Sequence, residues 1–157
     1  MNEEESCWCI KLPDLAVIGM GDAEGLDERV FATLDLVLDY GEKKWWLYIS
    51  LCSACGQHWM VAQDDRIHDN YCLKRITPQS FREITQLSSW PSDFLLYEQL
   101  LRLGREAGYI ATFVDPKSPA LVDTVGDLRR ARPDITLDEI AYVLAIPTRH
   151  AKKLLKT

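Results

Sequence analysis

Four segments in the first half of the chain have the apolar patterns of β-strands. In the first segment, leucines at every second position alternate with Asp35 and Asp39, which predicts a strand buried on one face. The second segment is rich in aromatic and β-branched side chains, and polar stretches separate the segments from one another. We predict an antiparallel meander whose strands are residues 30–40, 45–51, 59–63 and 71–76.

The apolar spacing changes to a helical period after the fourth strand. Thr77 and Pro78 are residue types favoured at an N-cap and at the first helical position. A longer helix is expected from Ser92 to Gly108, because leucines recur at helical spacing and glycine commonly ends a helix. Three further helices are predicted at residues 119–131, from residue 136 and at residues 147–156, the second opened by a capping box.

The composition is that of a folded protein with more than one structural region. The chain has 157 residues, of which 47% are hydrophobic and 27% are charged, enough apolar material for a packed core. Residues 115–119 have the Asp-Pro-Lys-Ser-Pro composition of a linker. We therefore predict an α+β protein with a sheet domain and two packed helices at residues 1–115, followed by a trihelical module at residues 118–157.

The formal net charge of −6 is distributed unevenly. Residues 1–117 carry 11 Lys and Arg against 19 Asp and Glu, whereas residues 118–157 carry 7 against 5. An acidic surface repels nucleic-acid phosphates and suits a basic protein partner; the alternative is that the charge only maintains solubility. The N-terminus lacks a secretory signal, and no apolar run reaches the ~20 residues of a membrane span, so we expect a cytoplasmic protein without a membrane partner.

Five cysteines suggest a metal site. Cys52 and Cys55 form a C-x-x-C-G turn between two predicted strands, and Cys7 and Cys9 form a second close pair. Because cytoplasmic thiols stay reduced, and zinc takes four sulfur or imidazole ligands, we predict a structural zinc bound by these four cysteines. His58 and Cys72 are alternative ligands. The remaining alternative is five thiols without a metal.

The C-terminal helices carry a second pattern. Glu139, Ile140 and Ala141 on one predicted helix, followed by Ala145 and Ile146 at the turn, resemble a helix-turn-helix; many members have glycine where Ala145 stands. The resemblance implies that the second helix reads DNA through its N-terminal residues. Those residues are Thr148, Arg149, His150, Lys152 and Lys153. The alternative is a trihelical module that packs on the sheet or on a partner.

The order of these two motifs resembles that of two-domain bacterial antitoxins, and the small acidic chain is similar to immunity proteins of polymorphic toxin systems. The resemblance rests on Cys52-x-x-Cys55-Gly56 and on Glu139-Ile140-Ala141. It implies a zinc-knuckle meander that binds and neutralises a basic toxin domain, with a helix-turn-helix-like module behind it. The alternative function is that of a DNA-binding transcription regulator.

The expected partner surface combines aromatic and acidic side chains. Adjacent residues of a strand face opposite ways, so one of Trp45 and Trp46 faces outward, and we assign this role to Trp46. The predicted partner-binding residues are Trp46, Tyr48, Asp64, Asp65 and Asp69. The alternative is that the helices at residues 78–108 cover this sheet.

An enzyme is a third class. His68 and Asp69 beside Asp64 and Asp65 offer a general base, but the segment has the composition of a solvated loop and no complete catalytic set accompanies it. We therefore predict a protein that is not an enzyme.

Overall fold

The computed structural model describes residues 7–111, 115 and 117–155 as a mixed α+β chain. The acidic N-terminus and residue 116 of the predicted linker lie outside this range. The chain divides into two compact units, residues 1–63 with 71–95 and residues 64–70 with 96–157. Along the chain, the units change between residues 63 and 64, between 70 and 71, and between 95 and 96. Independent folding of residues 1–115 and 118–157 stays a prediction.

The first unit is built on a five-stranded antiparallel sheet. Its strands are β1 (Leu15–Gly19), β2 (Leu34–Asp39), β3 (Leu47–Cys52), β4 (His58–Asp64) and β5 (Asn70–Ile76), arranged in the order β1-β5-β4-β3-β2. The predicted meander corresponds to β2 through β5 and is confirmed. The edge strand β1, five residues long, was not predicted.

The predicted first strand is too long and its alternation is wrong. Residues 30 and 31 belong to α1 (Leu26–Phe31), a helix of six residues that the apolar pattern did not indicate. Within β2, Leu36 lies opposite Ser50 but Leu38 lies opposite Ile49, because a β-bulge intervenes. The bulge moves Leu38 to the other face of the sheet and leaves Leu36 and Val37 56% and 43% exposed.

The two faces of the sheet carry different neighbours. In the register of β3 with β4, Ser50 pairs with Trp59 and Ile49 with Met60, so Trp59 and Met60 point to opposite sides. Trp59 belongs to a buried cluster that includes the N-terminal cysteines, Val30 of α1 and Ala16 of β1. On this face, the N-terminal segment and α1 cover the sheet.

A helix and a short turn complete the first unit. The helix α2 (Pro78–Leu87) begins where predicted, since Thr77 Oγ1 accepts a hydrogen bond from the Ser80 N–H at 3.0 Å. A 3-10 turn follows at Ser92–Phe94. The indole Nε1–H of Trp46 donates to the Phe94 carbonyl oxygen at 2.9 Å and connects this turn to the sheet.

The second unit is helical. Its helices are α3 (Tyr97–Ala107), α4 (Pro119–Ala131), α5 (Leu137–Leu144) and α6 (Thr148–Leu155). The three C-terminal helices and the capping box of α5, between Thr136 and Glu139, are confirmed. Ala145 ends α5 with a φ of 56°, in the left-handed region where glycine is favoured. Among the described residues, no helix combines the length and apolar character needed to cross a bilayer.

The loop at residues 64–70 belongs to this helical unit. The carboxylate of Asp64 accepts the backbone N–H groups of Arg66, Ile67 and His68 at 3.3, 3.0 and 2.9 Å. It also accepts the hydroxyl of Tyr97 at 2.7 Å. Asp64 is therefore the centre of a buried hydrogen-bond network that holds the loop against α3.

Candidate metal centre

Four cysteines from two distant parts of the chain meet in the first unit. The Sγ atoms of Cys7, Cys9, Cys52 and Cys55 all lie within 4.8 Å of one another. Cys7, Cys9 and Cys52 are buried, whereas Cys55 is exposed. The prediction that these four thiols come together is confirmed.

Backbone hydrogen bonds shape the turn that carries Cys52 and Cys55. The Gly56 N–H donates to the Cys52 carbonyl at 2.9 Å, and the Cys52 N–H donates to the Gln57 carbonyl at 2.9 Å. Gly56 has a φ of 80°, a conformation that is costly for residues with a Cβ. The Ser53 N–H donates to the Thr33 carbonyl at 2.8 Å, which fixes the turn to the start of β2.

The second pair of thiols comes from a segment outside the sheet. Cys9 begins a 3-10 turn that ends at Lys11, and the Lys11 N–H donates to the Trp8 carbonyl at 3.0 Å. The Lys11 ammonium lies 4.4 Å from the centroid of the Trp8 ring, at the outer side of the segment. The turn places Cys7 and Cys9 on the same side, toward the C-x-x-C turn.

Neighbouring groups change the acidity of the thiols. Burial raises the pKa of Cys9, although the Trp59 indole N–H donates to its Sγ at 3.3 Å. Burial also raises the pKa of Cys52, but contacts with Thr33 Oγ1, 3.3 Å away, and with backbone N–H groups outweigh it and bring the pKa to about 7. Burial raises the pKa of Cys55. Hydrogen bonds thus favour the thiolate form of Cys52, whereas burial disfavours that of Cys9.

The donor set fits zinc. Four sulfurs around Zn²⁺, with Zn–S of about 2.3 Å, lie about 3.8 Å apart in a tetrahedron. The cluster, with all sulfurs within 4.8 Å, needs only a small contraction to reach that spacing. A shell of four cysteines leaves no open position for a substrate, which is the arrangement of structural rather than catalytic zinc. The cysteines could bind a metal ion, and zinc stays a prediction.

The two alternative ligands lie apart from the cluster. His58 pairs with Leu51 in the sheet register, and it is their neighbours along the strands, not these two residues, that face the cysteines. The ring of His58 stacks on that of Phe81, with the two centroids 3.9 Å apart. Burial lowers the pKa of His58. Cys72 is buried next to Leu73, which belongs to the cysteine-side cluster, so Cys72 points to the opposite face. Neither is among the groups that converge on the centre.

A single arginine joins the N-terminal segment to the sheet. Arg75 Nη2 donates to the carbonyl oxygens of Cys9 and Leu12, each at 2.8 Å. Arg75 Nε donates to Asp14 Oδ1 at 2.9 Å, and the guanidinium lies 4.4 Å from the centroid of the Trp59 ring. No sequence signal pointed to Arg75, because its principal partners are backbone carbonyls more than sixty residues away.

A cleft adjoins the centre in the first unit. It has a volume of about 570 Å³ and is lined by Asp14, Gln57, His58, Lys74, Arg75, Asp93 and five further residues. Lys74 pairs with Asp93 at 2.9 Å and Arg75 with Asp14, so its charged groups already compensate one another.

The predicted partner surface is only partly exposed. Trp46 is 9% exposed while Trp45 is 48% exposed, so the assignment of Trp46 as the outward residue is wrong. The prediction that Asp64 lies on the surface is also wrong, because its carboxylate is fully buried in the network around residues 64–70. Asp65 and Asp69 are exposed. Burial and the nearby charges of Asp64 and Asp65 raise the pKa of Asp69.

Tyr48 is half-buried in the first unit. Its hydroxyl donates to Gln63 Oε1 at 2.8 Å, a contact between neighbouring strands. Burial, together with the charges of Tyr71 and Asp39, raises its pKa.

The candidate general base is held inside the second unit. The Ala111 N–H donates to Nδ1 of His68 at 3.2 Å, which leaves Nε2–H to donate to the Val143 carbonyl at 2.9 Å. His68 is buried, and both of its ring nitrogens are engaged within the chain. These contacts give His68 a role in fixing the loop.

The candidate DNA-binding residues lie on α6. Thr148, Arg149, Lys152 and Lys153 are exposed, whereas His150 is half-buried. The helix thus presents three basic side chains to solvent. The Nε2 atom of His150 is buried and has no hydrogen-bond partner among the described residues.

No protein-family model matches the chain, and comparisons with curated proteins and with solved structures return no significant match.

Proposed function

We propose that the protein is a non-enzymatic binding protein of the antitoxin or immunity type, in which a structural zinc stabilises the sheet that binds a basic partner protein. The observation that carries the proposal is the closed set of four cysteines, which ties an N-terminal segment to one face of the sheet. Because all four positions of the metal would be filled from the chain, the ion stabilises structure and performs no chemistry. The role of the protein then depends on its surface.

The favoured contact surface in the first unit is the edge strand β2 with the turn that follows it. We call it the β2 surface, and it comprises Asp35, Leu36, Val37, Asp39 and Trp45, all exposed. Aromatic side chains supply much of the binding energy of interfaces, and acidic side chains around them attract a basic partner. Trp45 takes the anchoring role first assigned to Trp46.

The exposed acids of the second unit form a separate candidate. Asp65 and Asp69 are accessible on the loop at residues 64–70, whereas Asp64 supports the loop from within. The two surfaces can be tested independently, because the charge of either can be reversed without touching the other.

The proposal is tested by capture and by rescue. Tagged protein is used to isolate partners from the source cell in three forms: wild type, Asp35→Lys/Asp39→Lys and Asp65→Lys/Asp69→Lys. We expect wild type to retain a basic protein that arrests growth when expressed alone, and coexpression of wild type to restore growth. The β2 double variant should associate with the partner more slowly and with weaker salt dependence. Trp45→Ala should dissociate faster from the partner and lose ~1–3 kcal/mol of binding free energy.

The result that contradicts the proposal is equally specific. Recovery of DNA without any protein partner, with no rescue from a growth-arresting protein, would show that the acidic surface has another purpose. Equal capture by wild type and both double variants would remove the two acidic surfaces from consideration.

The second candidate function is DNA binding by α6. It is favoured by the exposure of Arg149, Lys152 and Lys153 on one short helix. A regulator should bind duplex DNA at low salt with a steep dependence of affinity on salt concentration. Replacing Lys152 and Lys153 with Gln should reduce the slope of that dependence by about two. Unchanged binding in this double variant would exclude α6 as the contact.

A further inference from the structure

The two halves of the candidate metal centre are held in place by different means. The C-x-x-C turn carrying Cys52 and Cys55 is part of the β3–β4 hairpin and is closed by its own backbone hydrogen bonds. The segment carrying Cys7 and Cys9 has only a short 3-10 turn of its own. An attachment to the sheet would place the ligand pair on such a segment before a metal binds.

Arg75 provides this attachment in a geometry that few side chains can reproduce. One nitrogen, Nη2, donates to the carbonyls of Cys9 and Leu12, which lie at the start and just past the end of the 3-10 turn. A second nitrogen, Nε, reaches Asp14, and the Arg75 N–H donates to the Asp14 carbonyl at 2.8 Å. The segment is thereby fixed at three residues along its length by one residue of β5.

The same arginine also contacts the group that bonds to a ligand sulfur. Its guanidinium carbon lies 4.4 Å from the centroid of the Trp59 ring. The Nε1–H of that indole donates to Cys9 Sγ at 3.3 Å. A planar guanidinium can stack on an aromatic ring and donate at its edge at the same time, which a lysine ammonium cannot do.

We infer that Arg75 is the positioning residue of the metal centre: it latches the segment bearing Cys7 and Cys9 onto the sheet, and tight metal binding depends on it. The inference rests on the metal centre of the proposed function. Groups that orient the ligands of a metal commonly contribute 10–100-fold to its affinity. Without the latch, Cys52 and Cys55 remain preformed, and the other two thiols must be ordered by the metal itself.

The experiment compares full-length wild type with Arg75→Met, Arg75→Lys and the control Arg82→Met, an exposed position on α2. Zinc affinity is measured by competition with a chromophoric chelator, and the number of thiolate ligands is determined from the absorption of the Co²⁺-substituted protein. We expect affinity to fall 10–100-fold in Arg75→Met and about tenfold in Arg75→Lys, with fewer thiolates on Co²⁺ at low metal. Arg82→Met should match wild type.

Two further observations separate positioning from general stability. Asp14→Ala removes the exposed ion pair but leaves both carbonyl contacts, and should lower affinity by no more than about fivefold. Hydrogen exchange of Arg75→Lys should rise at residues 9–12 and stay unchanged at the C-x-x-C turn. If Asp14→Ala lowers zinc affinity as much as Arg75→Met does, the ion pair with Asp14 is responsible and the contacts of Arg75 with the Cys9 and Leu12 carbonyls are not.

The failures of the inference and of the metal centre are distinguishable. Wild type that binds neither Zn²⁺ nor Co²⁺ overturns the metal centre and the inference with it. Tight binding by wild type with equal affinity and the same Co²⁺ spectrum in Arg75→Met and Arg75→Lys overturns the inference alone. If Arg75→Met does not fold, Arg75→Lys decides, because it keeps the charge and the aliphatic stem.

Discussion

The two compact units differ in the partners that their buried thiol and carboxylate groups have. In the first unit, four thiols face one another in a group that could bind a metal ion. In the second unit, buried carboxylates find their donors within the chain: Asp64 has backbone amides and a tyrosine, and Glu98 has Arg102 and Arg132. We therefore expect the stability of the first unit to depend on metal concentration and that of the second on pH.

The distribution of chromophores allows each unit to be followed separately. All five tryptophans, at positions 8, 45, 46, 59 and 90, belong to the first unit. The longest helices, α3 and α4, belong to the second. Tryptophan fluorescence thus reports on the unit that holds the cysteine cluster, and circular dichroism at helical wavelengths reports mainly on the other.

Removal of the metal should have the largest effect. Structural zinc contributes about 10–16 kcal/mol of apparent binding free energy in zinc-finger peptides, comparable to the ~5–15 kcal/mol that stabilises a whole domain. Chelation, or Cys52→Ser, should therefore abolish the cooperative fluorescence transition while most of the helical signal remains. Elemental analysis of untreated wild type should find one zinc per chain.

Cys72→Ala is the matched control for this prediction, since Cys72 is buried but lies away from the cluster. It should retain zinc and lose only about 1 kcal/mol of unfolding free energy. Loss of zinc in this variant, with full zinc in Cys9→Ser, would show that the ligand set is wrong. Equal loss of fluorescence and helical transitions on chelation would show that the two units unfold as one.

Neutralising Glu98 should have an intermediate effect, confined to the second unit. Burial raises the pKa of Glu98, but hydrogen bonds from Arg132 and Arg102 outweigh burial and lower it. The Thr136 N–H and Arg132 likewise lower the pKa of Glu139, to about 2. A lowered folded-state pKa gives stability that is complete above the usual value of 4.5 and is lost as pH falls toward 2.

We therefore expect Glu98→Gln to lower the unfolding free energy of the helical transition by about 2 kcal/mol at pH 7. It should also flatten the decline of that transition as the pH falls below 4.5. Urea unfolding followed by circular dichroism measures both. Glu106→Gln, exposed on the same helix, is the control and should behave as wild type; an acid profile of Glu98→Gln identical to wild type would count against the network.

The smallest expected effect is a gain in the stability of the second unit. Ala145 holds a left-handed conformation that costs residues with a Cβ roughly 1 kcal/mol, so Ala145→Gly should stabilise the second unit by about 0.5–1 kcal/mol. Ala131→Gly, at the exposed end of α4, should instead destabilise it by about 0.5 kcal/mol. Urea unfolding followed by helical circular dichroism distinguishes the expected gain of stability from the expected loss. A loss of stability in Ala145→Gly would mean that the left-handed conformation of Ala145 carries no such energetic cost.

The elements with strong local signals could be predicted from the sequence. Thr77, Pro78 and the Thr136–Glu139 box marked helix starts because capping depends on adjacent residues. The bulge in β2 and the burial of Trp46 could not be predicted, because both depend on which residues lie opposite in space. The six-residue helix α1 is too short for a periodic signal.

The candidate site likewise contains residues that could be predicted from the sequence and residues that could not. The four cysteines were predictable because metal ligands must be of a few residue types at close spacing. Arg75 and Asp64 were not, because each acts on backbone groups, which every residue carries. Asp64 in particular has the sequence context of a solvated loop, and only the amides that fold back onto its carboxylate explain its burial.

The loop at residues 64–70 also has a consequence for synthesis on the ribosome. Its partners are made late: Tyr97 follows Asp64 by 33 residues, Asp127 follows Arg66 by 61, and Val143 follows His68 by 75. At translation rates of ~5–20 residues per second, the last of these partners is made about 4–15 s after His68. During that interval the nascent chain exposes a carboxylate, a histidine and Ile67 that are buried in the native protein, which makes this hairpin connection a candidate contact for chaperones.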